Sequence, residues 1–201
     1  MGARRPPLIY GTWGGRAMTV ISGTEVTLRP ARESDRRDVF QWFAESDATP
    51  SMLGPPLFPE GSAPTWDEFN ADYSPNFFDG STPDVESSYI IEVAGEPLGQ
   101  INYEIRQNPT RLAELDIWLR SLADTGHGYG SDALITLTAH LFRTLGVDTF
   151  LIRPSARNPR AIRAYHKAGF VAVPMSAQEQ VEQYGAGDYE DTVVMIKHIT
   201  T

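Results

Sequence analysis

Two short stretches of the chain combine residue types and spacings that suit chemistry. Gly126, Gly128 and Gly130 fall at alternate positions just before a run in which Leu134, Leu137, Thr138, Leu141 and Leu145 recur three and four apart. That recurrence marks one apolar face of a helix, and Gly146 stands where such a helix would end. A glycine turn opening a helix offers unpartnered backbone N–H groups and the positive end of the helix dipole, a place for a phosphate or pyrophosphate. A tight connection would use the same glycines, so the turn alone leaves both readings open. The spacing is not G-x-G-x-x-G and no Gly-Lys-Ser/Thr follows, which excludes a dinucleotide fingerprint and a nucleoside-triphosphate loop. The second stretch is AELDIWL (Ala113–Leu119), where Asp116 interrupts an apolar strand and a charge needs a reason. Strand alternation puts Glu114, Asp116 and Trp118 on one face and Leu115, Ile117 and Leu119 on the other. Asp116 is either a proton acceptor or a carboxylate that faces water or pairs with an arginine of the next strand.

The elements that must position these groups can be read in order. TEVTLRP (Thr24–Pro30) alternates as a first strand, and Ser34 reads as the cap of a helix whose Val39, Phe40, Trp42 and Phe43 form an apolar face. Residues 47–63, with four prolines, read as a loop. Thr65 caps a short acidic helix, WDEFNADY, and a second loop-like stretch follows. Strands Tyr89–Val93 and Leu98–Ile105 form a hairpin turning at Gly95-Glu96-Pro97, before the strand Leu112–Leu119. After the long helix come a strand, Phe150–Arg153, and a helix carrying NPRAIRAYHKAGF (Asn158–Phe170). Phe170–Val173 and Thr192–His198 close the pattern, with a hairpin or helical turn between them. Residues 1–22 read as a flexible N-terminal extension, with Met18 a candidate start, or as an ordered arm, ahead of one domain over 23–201.

This succession resembles the GNAT superfamily of N-acetyltransferases over roughly residues 24–199. Its glycine turn, Arg/Gln-x-x-Gly-x-Gly/Ala, corresponds to Thr125-Gly126-His127-Gly128-Tyr129-Gly130, with both glycines matched and the leading basic or amide residue missing. The downstream N-x-x-A-x-x-x-Y-x-K-x-G-F pattern matches fully through Asn158, Ala161, Tyr165, Lys167, Gly169 and Phe170. The resemblance implies an α+β (α/β/α) fold, a central mixed and mostly antiparallel sheet splayed between its fourth and fifth strands, with helices on both faces. It implies acetyl-coenzyme A as co-substrate, its pyrophosphate on Gly126, His127, Gly128, Tyr129, Gly130 and Ser131. The pantetheine arm would pair with the strand at Ile117, Trp118 and Leu119, and Asn158 would both cap its helix and bond the coenzyme.

An acyl transfer from a thioester to an amine needs a neutral nitrogen, a polarised carbonyl and a stabilised thiolate. Within the superfamily the chain is most similar to aminoglycoside 6′-N-acetyltransferases, through GEPLGQINY, LDIWL and PSARNPRAIRAYHKAGF. That likeness implies Asp116 as the base, since those enzymes carry an Asp at this point of the strand. Tyr165 is the candidate acid for the thiolate; the alternative is a packing stripe with Ile162 and Phe170. Arg157, Arg160, Arg163 and Lys167 form a basic cluster that would suit the coenzyme's 3′-phosphate or simply face solvent. On the acceptor side Trp66 and Asp72 join Asp116 as candidate contacts. One departure stands out: where the aminoglycoside enzymes have an Asp before Pro-Ser, this chain has Arg153, which would repel a cationic sugar, so either its side chain turns away or the acceptor differs.

The composition narrows the partners. Between Asp38 and Glu104 there are 13 acidic and no basic residues, while all 17 Lys and Arg lie outside that segment, in a chain of net charge −9. Such a one-signed segment concentrates a cationic ligand or serves as a solvated acidic surface. The charge argues against nucleic acid. No apolar run approaches a membrane span and no secretory segment is visible, so a cytoplasmic protein is expected. The chain lacks cysteine and shows no ligand-spaced cluster of His or acids, so direct attack and no metal are expected. The expectation is therefore an N-acetyltransferase acting on a small cationic amine, an aminoglycoside first, as a monomer or homodimer. A protein N-terminal acetyltransferase of the ribosomal-protein type and a non-catalytic acetyl-coenzyme A-binding protein are the alternatives.

Overall fold

The computed structural model describes residues 18–53, 63–107 and 111–200. One eight-stranded sheet runs β1 (Ile21–Ser22), β2 (Thr27–Pro30), β3 (Glu86–Val93), β4 (Glu96–Arg106), β5 (Leu112–Leu119), β6 (Thr149–Ile152), β8 (Met195–His198) and β7 (Val171–Ala172) in space. Every pairing is antiparallel except β5 with β6. The parallel pair has only two register positions, Ala113 with Phe150 and Glu114 with Leu151. Past Glu114 the strands part, and β5 continues alone on that side through Asp116 to Leu119. An added edge strand, β1, makes these the fifth and sixth strands rather than the fourth and fifth.

Helices α5 (Tyr129–Leu145) and α6 (Pro159–Lys167) cover one face. Leu134, Leu137 and Leu141 of α5 pack on Tyr89, Ile91, Ile101, Leu115 and Phe150, with Tyr165 and Phe170 completing that core. Burying a leucine side chain contributes about 1.5–3 kcal/mol, so this apolar stripe does much to dock α5. The other face carries α1 (Arg36–Phe40), α2 (Thr49–Met52), α3 (Trp66–Asp72), α4 (Asn76–Asp79) and α7 (Ala177–Tyr184). Val39, Phe40, Phe69 and Phe78 bury Ile90 and Trp118 there, while Tyr184 packs on Leu112 and Leu151. Alternation along β5 is as expected: Leu115 belongs to the α5 core, and Leu112 and Trp118 to the opposite clusters. Asp116 lies on the face of Trp118.

Several local expectations change. Within the segment 1–22, residues 18–22 are packed: Ile21 is buried, Ser22 pairs with Thr27, and Met18 packs against the core. The part of the expected extension over 1–17 lies outside the described residues. Ser34 is no cap; the helix begins in a 3₁₀ turn, Glu33–Asp35, where Asp35 accepts from the Arg32 N–H at 2.8 Å and from Arg29. Beyond α1 the backbone continues as a π-helix, Gln41–Glu45. The hairpin turns at Ala94-Gly95, both with positive φ, and Val93 pairs with Glu96. Two residues suffice because a left-handed pair matches the twist of the strands. The polar stretches read as loops hold α2 and α4, and the one left between hairpin and helical turn holds α7. Thr65 caps α3 as expected, in a capping box with Glu68. No helix among the described residues is long and apolar enough to cross a membrane.

Candidate active site

The gap left by β6 opens a groove of about 470 Å³ along β5, within the range of small-molecule sites. Ile117, Trp118 and Leu119 form its floor, Gly126, Gly128, Tyr129, Gly130 and Ser131 one wall, and α6 from Asn158 onward the other. Gly126 and Gly128 have φ of 86° and 94°, a conformation that costs other residues about 1–2 kcal/mol. A side chain there would meet nothing within 4 Å, so the turn's backbone is open. The first N–H groups of α5 lack helical partners and carry the positive end of its dipole. Ser131 Oγ donates to the Ala164 carbonyl at 3.0 Å and locks α5 against α6. His127 is the exception among the predicted turn residues: it stacks on Tyr129 and sits 3.2 Å from the Ala123 carbonyl, off the groove.

Asn158 Oδ1 accepts from Ala161 N at 3.1 Å, capping α6, while its Nδ2 donates to Ser51 O at 2.9 Å. Asp47 accepts from Leu122 N at 2.8 Å. The segment around α2 is thus tied to both walls. Arg157, Arg160, Arg163 and Lys167 all line the groove, so the cluster left open between coenzyme and solvent faces the groove. Arg160 donates to Thr125 Oγ1 at 2.7 Å.

Asp116 sits where β5 separates from β6. Asp116 is exposed to solvent, with protein crowding its carboxylate, and no ion pair holds it among the described residues. Burial, then the nearby Asp188 charge, push its pKa up to about 7, with Glu114 adding to the rise and the Ile117 N–H opposing it. Tyr165 comes from α6 on the other face of the sheet and lines the groove. Its hydroxyl is pushed well above the ordinary tyrosine value by burial first, then by the charge of Asp116. The splay lets groups from opposite faces act on one another across the gap.

Opposite Asp116 in register is Asn102, and opposite Trp118 is Gln100. Tyr73, the residue after α3, donates to Gln100 Oε1 at 3.2 Å and accepts from Asn102 Nδ2 at 2.7 Å. Its ring lies 6.2 Å from Trp118 and 4.6 Å from Phe69, and its hydroxyl feels the Asp116 charge. Tyr73 is therefore the aromatic of this region brought to the site. Trp66 instead packs on Phe40 and Phe69 with the Arg37 guanidinium over its ring, and Asp72 is exposed at the end of α3. No contact links either to Asp116. Asp188 and Tyr189, in the segment after α7, also act on Asp116 and Tyr165 and were not singled out in the sequence. Their only signal was a Gly-rich, acidic run.

The Arg153 guanidinium is taken up inside the protein. Its Nε donates to Glu114 Oε1 at 2.6 Å and its Nη1 to the Gly185 carbonyl at 2.9 Å, with 6% of the side chain exposed. Among the described residues no group of three or more metal-ligating side chains occurs.

Residues 25–171 match the family model of the acetyltransferase (GNAT) domain. Aminoglycoside N(6′)-acetyltransferase type 1 of Klebsiella pneumoniae is 27% identical over 161 residues, 74% of this chain and 75% of that protein. The fold matches AAC(6′)-Ib in complex with paromomycin and acetyl-coenzyme A, with a TM-score of 0.66 and 23% identity over 87% of this chain and 93% of that one. It also matches RimL, a ribosomal L7/L12 alpha-N-protein acetyltransferase, with a TM-score of 0.65 and 18% identity over 90% and 98%.

Proposed function

The chain belongs to the GNAT acetyltransferase family, and we propose that it transfers acetyl from acetyl-coenzyme A directly to a primary amine of a small cationic acceptor, the 6′-amino group of an aminoglycoside first. One observation carries this reading: a carboxylate with no ion pair among the described residues stands at the parting of two parallel strands, its pKa pushed up to about 7, and its charge acts on a tyrosine hydroxyl from the opposite face.

In this reading the glycine turn and the first turn of α5 hold the pyrophosphate, with the arginines of α6 as counter-charge. The unpaired edge of β5 past Glu114 bonds the pantetheine arm as a strand would. Asp116 takes a proton from the acceptor ammonium, directly or through a water, and the freed nitrogen lone pair attacks the thioester carbonyl carbon. The C–S bond breaks as the tetrahedral species collapses, Tyr165 gives its proton to the departing sulfur, and the second proton shed by the acetylated nitrogen restores the tyrosine. The products are the acetamide, coenzyme A thiol and one proton released to solvent. Trp118, Phe43 and Tyr73 make an aromatic wall beside Asp116, which with Asp188 suits a hydrated polycation. The curated relative's aminoglycoside activity supports this acceptor class.

Thiol release from acetyl-coenzyme A tests the assignment against kanamycin, spermidine and peptides with free α-amines, at two ionic strengths. Turnover of kanamycin that weakens with salt is the expected result. Turnover of the peptides alone would move the chain to the protein-acetylating type, and binding of the coenzyme with no turnover would make it a non-catalytic binder.

A further inference from the structure

Glu114 and Asp116 share one face of β5, two residues apart, but only Glu114 is neutralised. Arg106 of β4 and Arg153, just past β6, both pair with it. Each arginine spends a second nitrogen on the end of α7: Arg106 donates to the Tyr184 carbonyl and Arg153 to the Gly185 carbonyl, the latter at 2.9 Å. Carbonyls at a helix C-terminus lack intrahelical donors and favour cations, so this end of α7 is a natural anchor. Gly185 then leaves the helix at φ 78°. The far end of the same loop is fixed as firmly. Asp191 accepts from Ser155 Oγ at 2.8 Å and from Arg157 Nε at 3.0 Å, and its carbonyl accepts from Ala156 N at 2.9 Å. Between the two anchors run Ala186 to Glu190, including Asp188 and Tyr189, the two residues of this loop whose charge or hydroxyl is coupled to Asp116.

We propose that Arg153 is a positioning residue: with Arg106, and with Glu114 as a fixed pivot, it clamps the start of the 185–191 loop that carries Asp188 and Tyr189, and it thereby sets acceptor recognition without touching the acceptor. The proposal rests on Asp116 being the site of amine activation. It accounts for an arginine where a bare positive charge would repel a cationic substrate: the guanidinium is covered and balanced by Glu114.

The test combines R153M, R153K, D188N and the R153M/D188N double variant, read by kinetics with kanamycin and by amide hydrogen exchange. R153M is expected to speed exchange at residues 186–190 at least tenfold while β5 and α5 stay protected. It raises KM for kanamycin about five- to tenfold and leaves KM for acetyl-coenzyme A within twofold. R153K, which keeps the ion pair but not the fork that reaches Gly185, falls between. D188N raises the same KM, and the double variant is no worse than the worse single one, because both changes remove one interaction. Additive effects, or unchanged loop exchange in R153M, overturn the clamp. Exchange needs no substrate, so D116N measured alongside separates the two claims. A fully active D116N with a loosened R153M loop overturns the base assignment and keeps the clamp, and a rigid R153M loop overturns the clamp whatever D116N does.

Discussion

Replacing Asp116 by Asn removes the charge and keeps the shape, and the structure fixes what should follow. With a pKa of about 7, roughly a tenth of the carboxyl groups are ionised at pH 6 and nine tenths at pH 8. If the ionised form accepts the ammonium proton, wild-type kcat/KM for the acceptor rises about tenfold across that interval. A positioned base contributes roughly 10²–10⁴ in rate, about 3–5 kcal/mol, so D116N should lose that much at pH 8 and lose the acid limb altogether. Stability moves the other way. The native carboxyl keeps its proton to a higher pH than the unfolded one, whose ordinary value is 3.8. Native Asp116 therefore binds more protons than unfolded Asp116 between about pH 4 and 7, and wild-type stability falls as pH rises through that window. D116N has no such cost, so its advantage in thermal unfolding should grow from pH 5 to pH 8. Asp188, Glu114, Tyr73, Tyr165 and Tyr189 all act on this site and stay in place in the variant. Thiol release from pH 5.5 to 9 and melting curves at pH 5 and 8 supply the data. A D116N enzyme within threefold of wild type, or one that keeps the acid limb, refutes the assignment of the base; a variant no more stable at pH 8 than at pH 5, relative to wild type, refutes the account of the shifted pKa.

Tyr165→Phe should lower kcat about 10- to 100-fold with both KM values within threefold, because the hydroxyl acts on the leaving sulfur rather than in binding; steady-state kinetics with kanamycin decides it. Gly128→Ala places a methyl in open space but at φ 94°, a strain of about 1–2 kcal/mol. Its melting temperature should drop by roughly 2–8 °C, and acetyl-coenzyme A should bind at least tenfold more weakly by calorimetry, while acceptor KM changes little.

The glycine turn, α5 and β5 were legible because each rests on a local pattern: apolar spacing of three and four, glycine punctuation, and strict alternation around Asp116. The same alternation correctly separated Asp116 from Leu115 and Ile117. That Trp66 packs on Phe40 and Phe69 and not towards Asp116 could not be read from the sequence, for want of orientation. On a seven-residue helix several aromatics and acids sit within two turns, and only the packing of Phe69 on Phe40 decides that Tyr73 reaches Gln100 and Asn102. Asp188 and Tyr189 were hidden because their loop reaches the site through anchors on Arg106 and Arg153, some 80 and 30 residues away in sequence. The edge strand Ile21–Ser22 was not legible because two residues are too few to show alternation.

The fates of Glu114 and Asp116 follow from one geometric fact. Where β5 still pairs with β6, Arg153 at the end of β6 is near enough to neutralise Glu114, and the acid becomes part of the scaffold. Two residues on, β6 has diverged, no arginine reaches Asp116, and burial beside Asp188 leaves it reluctant to ionise. A carboxylate crowded by protein with no counter-ion is costly, and a better-paired Asp116 would give a more stable protein. It would also be a worse proton acceptor, since a salt bridge would pull its pKa back down. The parting of two strands thus opens the groove and, by withholding a counter-ion, holds a carboxyl near neutrality, where it can exchange a proton with an amine.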